Sequence, residues 1–417
     1  MSNKVNNEKS KSAKLKRSIT LPFLILYGVG TMVGGGFYAL IGKVAGEAGL
    51  FAPIAFLCAG LLAFISATSF AELSSRLPFS AGEARYVKEG FHSNKFSITV
   101  GWLVIFTGII SAATLAVASI GFLQDLIPVP EKLSIGLLVL AMGLVAGWGI
   151  GKSVGLVTTI TIIEVGALFY VVFIAGDSLG QLPQRWHEVL APTSGIAWLG
   201  IFSGAFLGFY AFLGFEDMVN MAEEVKDVRR NLPIAILVSI VLTTLIYVVV
   251  VLVAILTVSP ETLASSNTPI AEIVRGHGWF SVSGLGIVSI LTGLNGALVQ
   301  IIMAARVAYG MAKRNQAPGW LGVISSKTQT PLRATAIMSG VVLLLALFFP
   351  MTSLAKATSS VILVVFAIVN LALWLIKGDK NRVDEHGIRF PRWLSLLGFL
   401  TCVSVLLFQA WQIVCAG

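Results

Sequence analysis

The sequence predicts an all-α polytopic membrane protein of eleven transmembrane helices. It predicts two five-span halves of opposite orientation, with the first and sixth spans discontinuous. Three observations carry this reading. The chain of 417 residues is 56% hydrophobic and only 12% charged, whereas a soluble domain carries about 25% charged residues. Its apolar runs reach the roughly 20 residues needed to cross a bilayer. Glycine-rich interruptions recur in two of those runs, five spans apart.

The spans lie near 21–42, 51–75, 97–124, 133–150, 154–176, 195–220, 233–258, 281–311, 333–349, 353–376 and 393–414. Lys and Arg set their orientation, because positive loops stay on the cytoplasmic side. With the N-terminus inside, 23 of the 29 Lys and Arg residues fall in inner segments and 5 in outer ones. The outer ones are Lys43, Lys132, Arg185, Arg275 and Lys356, and Arg306 lies within the eighth span. This bias places the C-terminus outside, and the membrane expected is the cell (cytoplasmic or inner) membrane. The net charge of +9 follows from inner loops that face anionic lipid, so it calls for no nucleic acid.

In chain order, residues 1–20 form a polar, Lys-rich cytoplasmic tail without an apolar h-region, so no cleaved signal peptide is expected. The first half spans 21–177. Its first span contains Gly28-Val29-Gly30-Thr31-Met32-Val33-Gly34-Gly35-Gly36. Each glycine costs a helix roughly 1 kcal/mol against Ala. Opened backbone survives in hydrocarbon only where protein covers it or it lines a polar cavity. Freed amides at the start of a half-helix attract an anionic group such as a carboxylate. Close helix packing is the other reading of the same glycines. The loop 177–194, with Pro183, Trp186 and Pro192, belongs on the outer surface.

The second half spans 195–377. Its first span reads Phe206-Leu207-Gly208-Phe209-Tyr210-Ala211-Phe212-Leu213-Gly214-Phe215-Glu216. Glycines amid aromatics repeat the break of span one. Five is odd, so the halves have opposite topology. That is the inverted-repeat plan of many secondary transporters, with the site where the broken helices meet. The loop 377–392 is short and charged, and the eleventh span, 393–414, lies outside the repeat.

Polar residues within the spans are few. Glu164 sits about halfway through span five and shares a helix face with Thr158 and Thr161. A carboxylate there costs a few kcal/mol, so it should face the bundle and be protonated or partnered. It reads either as a proton carrier or as a neutral structural hydrogen-bonder. Glu216 follows the second break and reads either as a coupling group or as a cap on the opened helix. Glu72 lies one turn before Arg76 and suits a local ion pair. Thr107, Ser111 and Thr114 stripe span three, and Thr292, Asn295 and Gln300 add polarity to span eight.

Nothing points to an enzyme. His92, His187, His277 and His386 are scattered in loops, Cys58, Cys402 and Cys415 lie in apolar spans, and no phosphate-binding GxxxxGK[ST] occurs. No metal or cofactor is expected.

Four stretches give the chain a resemblance over its whole length. They are Gly28 to Phe37, Ala71-Glu72-Leu73 through Ser80-Ala81-Gly82-Glu83 to Tyr86, Gly214-Phe215-Glu216 through Ala222-Glu223-Glu224 to Pro233, and Leu294-Asn295-Gly296 through Arg306 to Ala312. In them the chain resembles the amino acid–polyamine–organocation superfamily of permeases. The resemblance implies a leucine-transporter-like fold and alternating access, with an amino acid held by main chain. The matching positions are Gly34, Gly35 and Gly36 for the carboxylate, and the carbonyls of Met32, Tyr210 and Leu213 for the amino group. Tyr210 falls at the family's aromatic gate. Glu164 stands where several proton-coupled members carry a lysine, which is a departure. Several members have twelve spans, against eleven here.

The expected function is secondary transport of amino acids, coupled to protons through Glu164 or Glu216, with the bilayer as the other partner. The alternatives are an amino-acid exchanger or a polyamine carrier and, in a different class, a receptor or channel on the same fold.

Overall fold

A computed structural model describes residues 17, 19–78, 82–148, 153–277, 279–326, 328, 330–379 and 387–416. Most of the N-terminal tail, Ser80 and Ala81, Lys152, Lys327 and the charged stretch 380–386 lie outside the described residues, as do the side chains of Thr158, Glu223 and His277.

The chain is helical almost throughout. Span one is two helices, α1 (Leu21–Met32) and α2 (Gly35–Ala48). Then come α3 (Ala52–Arg76), α4 (Gly82–Phe91), α5 (Asn94–Gln124), α6 (Glu131–Trp148) and α7 (Ser153–Ala175). A short α8 (Leu182–Leu190) precedes α9 (Gly195–Gly208). After the second break come α10 (Val228–Thr257), two small helices α11 (Pro260–Ser265) and α12 (Pro269–Ile273), α13 (Trp279–Lys313), α14 (Leu332–Phe348), α15 (Met351–Ile376) and α16 (Arg392–Ala416). Among the described residues the sole β-pairing is one parallel bridge, Ile19 with Val225. Eight helical stretches are long and apolar enough to cross a membrane, and α1 and α14 are shorter apolar helices. One of the eight, Gly35–Arg76, bends at Gly49, where φ is +58°. That left-handed conformation suits a residue without Cβ, and it separates α2 from α3.

Local sequence explains the ends. Pro22 and Pro53 occupy first-turn positions of α1 and α3, where a missing N–H is harmless. The Ser194 hydroxyl caps α9 by accepting from the Ala197 amide at 3.1 Å. Several span limits differ from the sequence reading, that of α10 among them, which begins at Val228 rather than near 233. α2 continues to Ala48, so Lys43 lies within the helix rather than beyond it; its Nζ donates to the Ala264 carbonyl at 2.6 Å. Span six does not resume as an α-helix. After α9 the backbone tightens into 3₁₀ turns at Phe209–Phe212 and Glu216–Glu224, with Gly214 at φ +122° between them.

Small residues set how closely the helices approach. A Cβ on Gly30 would sit 2.1 Å from Thr161 Cγ2, which seats α1 on α7. One on Gly42 would meet the Leu263 carbonyl oxygen at 2.1 Å, which seats α11 on α2. α5 packs along α13, α3 along α10, and α2 along α9. The breaks of spans one and six therefore lie inside the bundle, with Met32, Gly35, Gly36, Tyr210 and Leu213 all buried.

Candidate functional site

The first break leaves a helix start without acceptors. α1 closes with the Val33 amide on the Val29 carbonyl at 2.8 Å, and the next backbone bond is Phe37 to Gly34 at 3.3 Å. No described backbone carbonyl takes the amides of Gly34, Gly35 or Gly36. These three N–H groups are the orphan donors that begin any helix, and here they sit inside the protein. The glycines divide in role. A Cβ on Gly35 would stand 2.7 Å from Gly293 Cα, and one on Gly36 would stand 2.9 Å from the Tyr210 ring. Gly34 has no such neighbour, only the Thr31 carbonyl oxygen at 3.9 Å. Close packing and open amides thus coexist, at different residues.

The second break touches the first. A Cβ on Gly214 would lie 2.8 Å from the Thr31 carbonyl oxygen, and the Thr31 hydroxyl reaches the carbonyls of Gly28 at 3.0 Å and Gly214 at 3.2 Å. Glu216 Oε2 accepts from the Gly214 amide at 2.9 Å, which is the capping arrangement. Tyr210 is buried over Gly36, and its phenol meets the Ser111 hydroxyl at 2.8 Å. Thr107 and Thr114, by contrast, donate to carbonyls of their own helix, Leu103 and Ile110, both at 2.9 Å. Among the described residues Ser111 is the member of the stripe that bonds across the bundle, and Thr114 is a second polar neighbour of the Tyr210 phenol.

Tyr247 on α10 joins the two breaks and was not singled out from the sequence. Its hydroxyl lies 2.6 Å from the Met32 carbonyl and 2.9 Å from the Ala211 carbonyl, so one proton is shared between two acceptors that the breaks set free. Its ring stacks on Phe37 with centroids 3.9 Å apart. The one signal in sequence was a polar-tipped ring amid the aliphatic run Leu245-Ile246-Tyr247-Val248-Val249.

Glu164 is fully buried, and neither carboxyl oxygen has a hydrogen-bond partner among the described residues. Asn295 of α13 is its polar neighbour but falls outside hydrogen-bond geometry. The peptide carbonyl of Glu164 accepts from the Tyr38 hydroxyl of α2 at 2.7 Å. The half-helix that starts at the open amides is thereby tied to the residue bearing the unpartnered carboxyl. Thr161, one turn away, is spent on packing against Gly30. Glu72 pairs with Arg76 at 2.6 Å, as expected, and also with Lys377 of α15 at 2.6 Å.

Two interrupted helices crossing at their breaks, inside a bundle of apolar helices, define a polytopic membrane protein of the broken-helix class. The chain belongs to the amino acid permease family, which matches residues 19–416. It is 30% identical over 389 residues to the cationic amino acid transporter 3, mitochondrial, of Arabidopsis thaliana, covering 87% of this chain and 63% of that protein. A branched-chain amino acid permease of Bacillus subtilis is 25% identical over 422 residues, covering 95% and 89%. A methylthioribose transporter of the same bacterium is 23% identical over 406 residues, covering 92% and 86%. The chain spans 63% and 61% of the length of the first two Arabidopsis relatives.

Proposed function

We propose that this permease carries amino acids across a cytoplasmic membrane by alternating access, and that Glu164 couples the movement to protons. The observation that carries the reading is the set of open amides at Gly34–Gly36 beneath Tyr210. Three N–H groups at a helix start suit a carboxylate; the carbonyls of Met32, Tyr210 and Leu213 suit an ammonium group beside it, through the second lone pair of Met32, which Tyr247 also bonds, and of Tyr210, which the Leu213 amide also bonds. The two halves, 21–177 and 195–377, each contribute one break. Tyr210, held by Ser111, covers the bound molecule. Relatives named for cationic and branched-chain amino acids support the substrate class and leave the side chain open.

Protons enter because the Glu164 carboxyl has no hydrogen-bond partner among the described residues. An uncompensated ion in a dry interior costs several kcal/mol, so a carboxyl placed there takes a proton or a cation. A proton gained from one side and lost to the other biases the two states of the bundle. Glu216, committed to Gly214, serves the break instead. The Lys and Arg distribution puts α4 and the loop before α10 inside.

The relative named for methylthioribose, a sugar without a carboxylate, gives a second reading. In that case the amides would meet hydroxyl groups. Free amino acids, their methyl esters and methylthioribose, offered as competitors of labelled uptake, separate the two. Loss of competition on esterification supports carboxylate recognition, and equal competition by ester and acid overturns it.

A further inference from the structure

A second group of carboxyls lies apart from the breaks. Glu83 opens α4, and Glu216 and Asp217 open the 3₁₀ segment after the second break. All three line one crevice with Thr107 and Gly108 of α5 and Gln300 of α13. Its free volume is about 20 Å³, room for roughly one water. The two segments touch directly, since a Cβ on Gly82 would lie 3.0 Å from Val219 Cγ2. Glu216 is engaged by the Gly214 amide. Glu83 is only 5% exposed, faces the crevice, and receives no hydrogen bond from the side chain of any other described residue. The polar groups facing it from α5 and α13 are neutral. The ionisable ones are Tyr86 on its own helix and the two acids opposite. Arg306 of α13 is exposed and, like Asp217 and Glu224, lies near Tyr27. Among the described residues no Lys or Arg forms an ion pair with any of the three acids.

We propose that Glu83 and Asp217 bind one proton at this crevice, and that the proton holds α4 against the span-six segment, closing the inner mouth of the permease. A protonated carboxyl donates a hydrogen bond to its neighbour, whereas two carboxylates around one water-sized space repel. This site is separate from Glu164. Its inner location rests on the orientation proposed above.

The sign follows from linkage. Burial, with Asp217 nearby, pushes Glu83 up to about 7 from an ordinary 4.5. The closed mouth therefore binds the proton more tightly than the open one. Closure is fully favoured below about 4.5, weakens as pH rises, and levels off above about 7.

The test is alkylation of a single cysteine at the crevice. It uses the full-length protein in membrane vesicles, with Val307→Cys in a background of Cys58→Ala and Cys415→Ser. The reagent is a membrane-impermeant maleimide. Rates are divided by those of an exposed control, Arg314→Cys, which cancels the ionisation of the thiol itself. The expected ratio rises with inner pH by up to roughly tenfold per unit between about 4.5 and about 7, then stays flat. Glu83→Gln should remove the rise, and Asp217→Asn should move its upper edge to lower pH. Glu164→Gln should keep the rise, since Glu83 and Asp217 remain. A ratio independent of pH in the parent, or a rise that survives in Glu83→Gln and is unmoved in Asp217→Asn, overturns the proposal. Labelling from the outer face alone would instead overturn the orientation on which it rests.

Discussion

Glu164 and Tyr210 make opposite demands on their surroundings. The carboxyl is buried without a hydrogen-bond partner among the described residues, while the phenol is bonded to Ser111. Glu164→Gln keeps the shape of the side chain and removes the exchangeable charge. The variant is expected to fold, bind and exchange substrate, but to lose accumulation driven by a pH gradient; full accumulation moves the coupling role elsewhere. Tyr210→Phe removes a hydrogen bond worth about 1 kcal/mol and should weaken substrate affinity roughly fivefold. Tyr210→Ala also removes the cover, and preloaded vesicles should leak labelled substrate. The glycines separate packing from binding. Gly35→Leu drives a side chain into the Gly293 backbone and should reduce the yield of folded protein. Gly34→Ala meets no close neighbour and should lower affinity at normal yield. Purification yield, read beside a binding isotherm, separates the two effects. The break at Gly34–Gly36 and the one beside Tyr210 were legible as breaks because glycines in apolar runs have few explanations. The division of labour among the glycines was not, since it depends on which helix lies opposite each.

At the scale of elements, the breaks are held by side chains from unbroken helices. Tyr247 serves both, through Met32 and Ala211. Tyr247→Phe leaves two buried carbonyls without that donor, at a cost of about 1–3 kcal/mol. It should lower thermal stability in detergent and weaken substrate binding, and unchanged melting would mean that water replaces the hydroxyl. The sequence placed both breaks correctly but offered no way to pair them with Tyr247, which lies 215 residues from Met32. The 3₁₀ course of Glu216–Glu224 was equally hidden. A run of Glu, Asp, Met and Asn has no strong preference, and its conformation follows from the Gly214 turn and the Glu216 cap. Span limits were legible to within a few residues where apolar runs ended at charges. They failed at Lys43, where a lysine donates to the Ala264 carbonyl instead of marking a boundary.

For the whole molecule, composition and charge carried the class. A 56% hydrophobic chain in long runs can only be polytopic, and glycine breaks five spans apart point to an inverted repeat. Membership of the amino acid permease family agrees with both. In the transport cycle proposed above, an amino acid moves on the open amides while Glu164 carries a proton. Reconstitution of the purified protein into liposomes tests it most directly, with a panel of labelled amino acids and an imposed proton or sodium gradient. The expected result is uptake of at least one amino acid above its equilibrium level under the proton gradient, lost in Glu164→Gln while exchange persists. Accumulation driven by sodium alone, or by the proton gradient equally well in Glu164→Gln, would contradict the account.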